Sequence, residues 1–185
     1  MSEQTTKVVT GKVRFSYANV WKPKAINDGQ EPKYSVCLLI PKSDTVTVNK
    51  IQSAIEAAIG AGKNKLADKN GKIIKGGLKL PLRDGDIERP DDDAYANCWF
   101  LNANSTQRPG IVDAARNEIL DETEFYSGCY GRASVNLFAF NTNGNKGIGC
   151  GLQNLQKLAD GPAFNGRSKA EDDFDEYEIF DDFLS

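Results

Sequence analysis

A mainly β fold, a five-stranded OB-type Greek-key barrel with one helix and a disordered C-terminal tail, is what this sequence predicts. Three observations lead there. Five apolar or alternating segments are separated by turns rich in Gly, Pro, Asn and Asp. One segment alone carries a helical period. The last fifteen residues are acidic and polar enough to stay outside any core.

The first strand is read over residues 7–21, where Val13, Phe15 and Tyr17 alternate with Lys12, Arg14 and Ser16. It is long, and Gly11 sits where a bulge bends a strand across a barrel corner. The turn KPKAINDGQEP leads to a second strand, Lys33–Ile40. Ser43 or Asp44 then caps a helix with apolar positions Val48, Ile51, Ile55, Ala58 and Ile59, ended by Gly60 and Gly62. Residues 63–83 hold seven bases against Asp68 and read as a basic hairpin or mobile loop that adds phosphate contacts or is simply solvated. A third strand covers 95–103, a fourth Gly128–Phe140, and the turn NTNGNKG leads to a fifth, Ile148–Leu158. One feature departs from the usual OB order: the helix follows strand two rather than strand three. Residues 1–160 form the expected domain, 161–170 a linker, and 171–185 an acidic interaction tail.

Composition narrows the function. The chain has 185 residues, enough for one domain with a real core. Its start, MSEQTTKVV, has no basic, apolar signal pattern, and no run of about 18 apolar residues exists. A cytoplasmic protein without membrane partners is expected. Histidine is absent, which removes the commonest general base and the Ser/His and Cys/His nucleophile systems. Cys37, Cys98, Cys129 and Cys150 are scattered in apolar stretches and read as buried free thiols rather than zinc ligands. The acids of LRDGDIERPDDD have no metal-loop spacing and read as a solvated turn. No enzyme, cofactor or metal is expected.

Charge is distributed unevenly. Residues 171–185 carry eight acids and no base, which leaves 18 acids against all 23 bases in residues 1–170, a net of +5. A basic body with a −8 tail suits a polyanion binder whose tail competes with its ligand.

The fourth strand separates into two faces. Cys129, Gly131, Ala133, Val135, Leu137 and Ala139 suit a barrel interior. Tyr130, Arg132, Ser134, Asn136, Phe138 and Phe140 mix rings, a cation and hydrogen-bonding groups, as binding of single strands requires. Tyr130 and Arg132 are candidates for that role, while Phe138 and Phe140 are read as cover for the core. The first strand and turn add Lys12, Arg14, Tyr17, Trp21, Lys22 and Lys24. Trp99, placed on one face with Tyr95 and Asn97, is a further candidate for base stacking. The tail ends in Phe180, Asp181, Asp182, Phe183 and Leu184, an acidic peptide with an apolar tip suited to a partner's basic groove.

The segments LRDGDIERPDDDAYANCWFLNANS, RPGIVD, FYSGCYGRASVNLFAFNTNGNKGIGCGLQNLQKLADG and the Phe-tipped tail resemble a family of tailed-phage single-stranded-DNA-binding proteins, first known as a domain of unknown function. The resemblance runs from about residue 8 to the C-terminus. It implies an OB fold, sequence-tolerant binding of single strands, a role in phage replication or recombination, and no enzymatic activity. It also implies the host cytoplasm as location and phage or host replication proteins as partners of the tail. Three rivals stand beside it: a strand-annealing recombination protein, an interaction or assembly protein that never touches DNA, and a metal-dependent nuclease resting on the acids of 84–93. Homo-oligomers or cooperative assembly on DNA are left open.

Overall fold

Alternation falters at Gly11, and there the chain divides into β1 (Lys7–Val9) and β2 (Val13–Lys24). Both pair with the same later strand, so the kink carries one run of sequence around a barrel corner. Gly11 donates its N–H to Thr47 Oγ1 at 2.9 Å. A Cβ there would lie 2.6 Å from Asp44 Oδ2 and would push aside the carboxylate that caps the helix. The computed structural model describes residues 5–25 and 29–164.

The remaining strands are β3 (Lys33–Pro41), β4 (Leu82–Asp84), β5 (Cys98–Ser105), β6 (Gly110–Val112), β7 (Tyr130–Thr142) and β8 (Asn145–Ala159). Five close a ring. β2 pairs with β3, β3 with β5, β8 with β7 and β7 with β2, all antiparallel, while β5 meets β8 in parallel at Asn104 and Gly151. Numbered along the chain, the ring runs 1-2-3-5-4-1, the closure of an OB barrel. β5 and β8 share that single register pair, and the segment 79–84 spans the gap beside it. Lys79 bridges to Gly147 of β8, and Leu82–Asp84 pair with Trp99–Leu101 of β5.

Helix α1 (Thr45–Ala61) begins at Asp44, whose carboxylate accepts the N–H of Thr47 at 3.1 Å, and ends at Gly62. Its stripe of Val48, Ile51, Ala54, Ile55, Ala58 and Ile59 is buried, and the helix packs on β7 and β1. The helix follows the second ring strand, as the sequence indicates. The connection from third to fourth ring strand holds β6 and a short 3-10 turn instead. Phe15, Leu38, Leu101, Val135, Leu137 and Leu155 fill the interior, and Phe15 meets Phe125 with ring centroids 4.8 Å apart. Each such side chain contributes about 1.5–3 kcal/mol by leaving water.

Two expectations change. Residues 63–83 are not a hairpin: they form a one-turn helix, α2 (Lys63–Leu66), a turn held by the Asp68 carboxylate, and a 3-10 turn at Lys75–Gly77. The third strand does not begin at Tyr95. Asp92 caps a 3-10 turn, Asp93–Tyr95, and Asn97 takes a φ of 56°, so the strand starts only at Cys98. Of the acids in 84–93, Asp84, Asp86, Glu88 and Asp92 serve as caps or ion-pair partners. Asp84 caps α3 (Gly85–Glu88), and Lys42 Nζ lies 2.8 Å from both Asp84 and Asp86. Those hydrogen bonds raise the Lys42 pKa and, with the Asn97 N–H, lower that of Asp86.

All four cysteines are free thiols, though Cys98 is only half-buried. Burial pushes Cys37 up to about 11 and Cys150 to about 12. No helix among the described residues is long and apolar enough to cross a membrane.

Candidate nucleic-acid interface

The outer surface of the barrel carries side chains in rows that the strand register defines. One row runs Asn19–Ser35–Asn104–Gly151–Asn136 across β2, β3, β5, β8 and β7. A second runs Ser16–Cys37–Asn102, and a third Tyr130–Arg14–Leu39–Phe100–Arg83. In the third row, Leu39 and Phe100 face outward yet are buried, because Tyr95 folds over them. Its ring meets Phe100 edge-on at 5.2 Å and its hydroxyl donates to Cys37 Sγ at 3.8 Å. Burial, first of all, holds the Tyr95 hydroxyl protonated far above the usual phenol range. That end of the face is sealed. Asn19, Ser35, Asn102 and Asn104 remain open beside it, while Ser16 is buried with Cys37.

Tyr17 stands at the border. Three steps along β2, from Ser16 to Asn19, lie opposite two along β3, from Cys37 to Ser35, which is the count of a β-bulge. Tyr17 occupies the bulge with a φ of 48° and is 61% exposed. A bulky side chain in the left-handed region costs free energy and persists only when its surroundings impose it. They do so here: the Ser127 hydroxyl accepts the N–H of Ala18 at 2.9 Å, and the Asn19 side chain donates to the Tyr17 carbonyl at 3.2 Å. The outcome is a phenol ring held out into water above a cleft of about 370 Å³ bordered by Ser16, Asp92, Tyr95, Ser127 and Phe164.

The other candidates divide. Lys12 and Arg14 both lie 5.3 Å from the Tyr130 ring centre, so these three do come together. Arg14 is nonetheless committed. It donates to the carbonyls of Gly128 and Pro162, and its guanidinium stacks 3.9 Å from the Phe164 ring. With Tyr126, whose hydroxyl accepts the Gly161 N–H, this clasp holds the first residues of the expected linker against the barrel. Tyr130 is half-buried beneath it. Arg132, two residues farther along β7, is exposed but donates to the Thr10 carbonyl at 2.8 Å.

Lys22 and Lys24 lie exposed at the far end of β2, where Lys24 pairs with Lys33. Trp21 is half-buried: its indole N–H donates to the Phe125 carbonyl at 2.9 Å and Arg108 covers its ring at 5.2 Å. Trp99 departs most from the sequence reading. Paired with Ile40 and two residues before buried Leu101, it lies on the inward row, while Tyr95 belongs to a different turn altogether. The tail candidates Phe180, Asp181, Asp182, Phe183 and Leu184 lie outside the described residues.

A model of the family described as Enterobacter phage Enc34, ssDNA-binding protein, matches residues 6–184. The chain belongs to that family. Putative protein p50 of Acyrthosiphon pisum secondary endosymbiont phage 1 is 30% identical over 174 residues, spanning 92% of this chain and 93% of its own length. The single-stranded DNA-binding protein of bacteriophage Enc34, in complex with ssDNA, superposes with a TM-score of 0.72 at 28% identity, covering 86% of this chain and 90% of that one. Bacteriophage T7 gp2.5, also a single-stranded DNA-binding protein, shares the fold at 14% identity and a TM-score of 0.63, covering 91% of this chain and all of that one. The Enc34-family assignment and the OB barrel therefore stand on independent observations.

Three contributors escaped the sequence reading. Phe138 is 44% exposed rather than core cover, and its ring lies across Gly149, where a Cβ would come within 2.6 Å of it. The alternating glycines of GIGCG, opposite Asn136 and Phe138, were the available signal. Arg108 and Phe164 reach their places through tertiary contacts that no local pattern announces.

Proposed function

We propose that this chain binds single-stranded DNA without sequence preference, along the outer face of β2, β3 and β5. The observation that carries the reading is Tyr17: a ring held outward in a strained bulge, beside open rows of Asn19, Ser35, Asn102 and Asn104. Bases stack on such rings whatever their identity, and amide and hydroxyl groups accept any base edge. Lys12, Lys22, Lys24 and Arg132 supply phosphate contacts, with Arg108 beside Trp21. The binding of ssDNA by the Enc34 relative supports the same reading. The function is protective and non-enzymatic, in phage replication or recombination within the host cell.

Residues 1–160 act as the binding domain, 161–170 as linker and 171–185 as a tail that recruits replication proteins and competes with DNA. The Arg14–Phe164 clasp supports this, because it roots the tail beside the cleft under Tyr17. Eight carboxylates on so short a tether compete with phosphates for the cations at high effective concentration.

Titration with oligo-dT at several salt concentrations tests the reading. With about 4–6 phosphates neutralised, the log–log slope is expected at roughly −3 to −4. Salt-insensitive binding, or none at low salt, refutes it. Deleting 171–185 should tighten DNA binding, most at low salt, and abolish partner recruitment. Phe183→Ala removes no charge, so it should lose the partner alone; equal DNA affinity with and without the tail refutes the competition.

A further inference from the structure

At the open end of the β7–β8 hairpin, outside the face proposed for DNA, lies a groove of about 630 Å³. Its floor is apolar: Ala114, Ala115, Ile119, Leu120, Leu158 and Ala159. Leu120 is 75% and Leu158 37% exposed, an unusual outlay of large apolar side chains for a free surface. Carboxylates rim it, from Asp113, Glu118, Asp121, Glu124 and Asp160. Lys157 neutralises two of them, at 3.3 Å from Glu124 and 2.6 Å from Asp160. Burial opposes the Lys157 charge, but these two hydrogen bonds outweigh it and raise its pKa. A phosphate backbone is repelled here; a basic, partly apolar segment is not.

This chain carries such a segment at the other end of the same hairpin. The loop of residues 63–80 is tied to the hairpin tip: Asn141 donates to the Lys65 carbonyl, Lys146 Nζ to that of Ala67, and Lys79 N–H to that of Lys146. It exposes Lys69 and Lys72 together with Ile74, at 60%, and Leu80, at 44%. Lysines alone would suit phosphates. The exposed Ile and Leu match the Leu-lined groove. Groove and loop are thus separated by a hairpin of about 13 residue pairs, roughly 40 Å at strand spacing.

We propose that the groove takes the basic loop of a second copy of this chain. Because the two surfaces differ and lie at opposite ends, the contact is heterologous and leaves a free groove and a free loop after each addition. Copies therefore add head to tail, and on a long strand this makes binding cooperative. The DNA-linked part rests on the function proposed above.

Three full-length variants test it. The first carries Glu118→Lys with Leu120→Lys in the groove, the second Lys69→Glu with Lys72→Glu in the loop, and the third all four. Affinity is measured for a short oligo-dT that holds one copy and for long poly-dT, with circular dichroism to verify folding. The groove variant adds positive charge, so simple electrostatics predicts tighter binding to both. The expected result is short-oligo affinity at or above the parent's, with the extra affinity for poly-dT reduced about five- to tenfold, as a few exposed pairs and one apolar contact supply. The third variant should recover part of that gain. An undiminished gain in the groove variant overturns the interface.

If the parent fails to bind oligo-dT, the DNA reading fails alone, and sedimentation of the DNA-free protein at low salt decides the contact. Growth with concentration that the groove variant abolishes supports it. A parent that stays monomeric and shows no poly-dT gain overturns it, and leaves the groove to a basic segment of another protein.

Discussion

Replacing Tyr17 with glycine should move stability and DNA affinity in opposite directions. The residue sits at φ 48°, in the left-handed region that costs an L-residue roughly 1–2 kcal/mol. Glycine removes that strain, at the cost of about 0.5–1 kcal/mol in added freedom of the unfolded chain. With 61% of Tyr17 exposed, the packing lost adds only about a few tenths of a kcal/mol. The net effect on stability is roughly 0 to +1 kcal/mol, or up to about 4 °C in Tm for a chain of this size. Affinity for oligo-dT should fall by about 1–3 kcal/mol, a factor of roughly 5 to 150, if the ring carries one stacked base. Tyr17→Ala keeps the strain and loses the ring, so it should match glycine in affinity and fall below it in Tm. Tyr17→Phe keeps the ring and should bind nearly as the parent does. Thermal melts beside fluorescence titrations at one salt concentration provide the assay. Should Tyr17→Gly melt well below the parent, the bulge is not strained as described. Should Tyr17→Ala bind undiminished, the outward ring is no stacking platform.

Other expectations follow from the same contacts. Trp21→Ala should lower stability by about 2–3 kcal/mol through lost packing and an unpaired Phe125 carbonyl, with a smaller effect on affinity than Tyr17→Ala; a large loss of affinity at unchanged Tm would return Trp21 to the binding surface. Arg14→Ala should free residues 161–164 and speed proteolysis near Phe164, at about 1–2 kcal/mol of stability; an unchanged cleavage pattern would show that the clasp holds nothing. At pH 8, half-buried Cys98 should react first with a thiol reagent, while Cys37, raised to about 11, and Cys150, raised to about 12, wait for unfolding. A raised thiol pKa means less thiolate at a given pH, so labelling of the folded protein should accelerate as pH rises toward 9; simultaneous reaction of all four thiols would contradict their burial.

The presence of five ring strands, the capped helix and the inward and outward faces of β7 were legible in the sequence, whereas the start of the third strand was not. These rest on local signals: period-two alternation, an Asp44 cap with Gly62 behind it, and turns at Asn-Gly and Pro-Gly-rich points. The face assignment held because each inward position of β7 from Gly131 to Ala139 is small or apolar, and the pleat leaves no other arrangement once one of them is buried. Tertiary structure alone decided which outward residues remain outward. Phe100 faces out by register yet is sealed by Tyr95, from a turn whose start hinges on the Asp92 cap. Arg14 reads as a phosphate contact until Pro162 and Phe164, some 150 residues away, claim its guanidinium. Trp99 fell to the inward row because Asn97, at positive φ, delayed the strand and shifted the register against Tyr95. Alternation specifies the two faces of a strand, but only distant segments folding back decide what covers each face, and at this interface that covering separates an exposed Tyr17 from a buried Phe100.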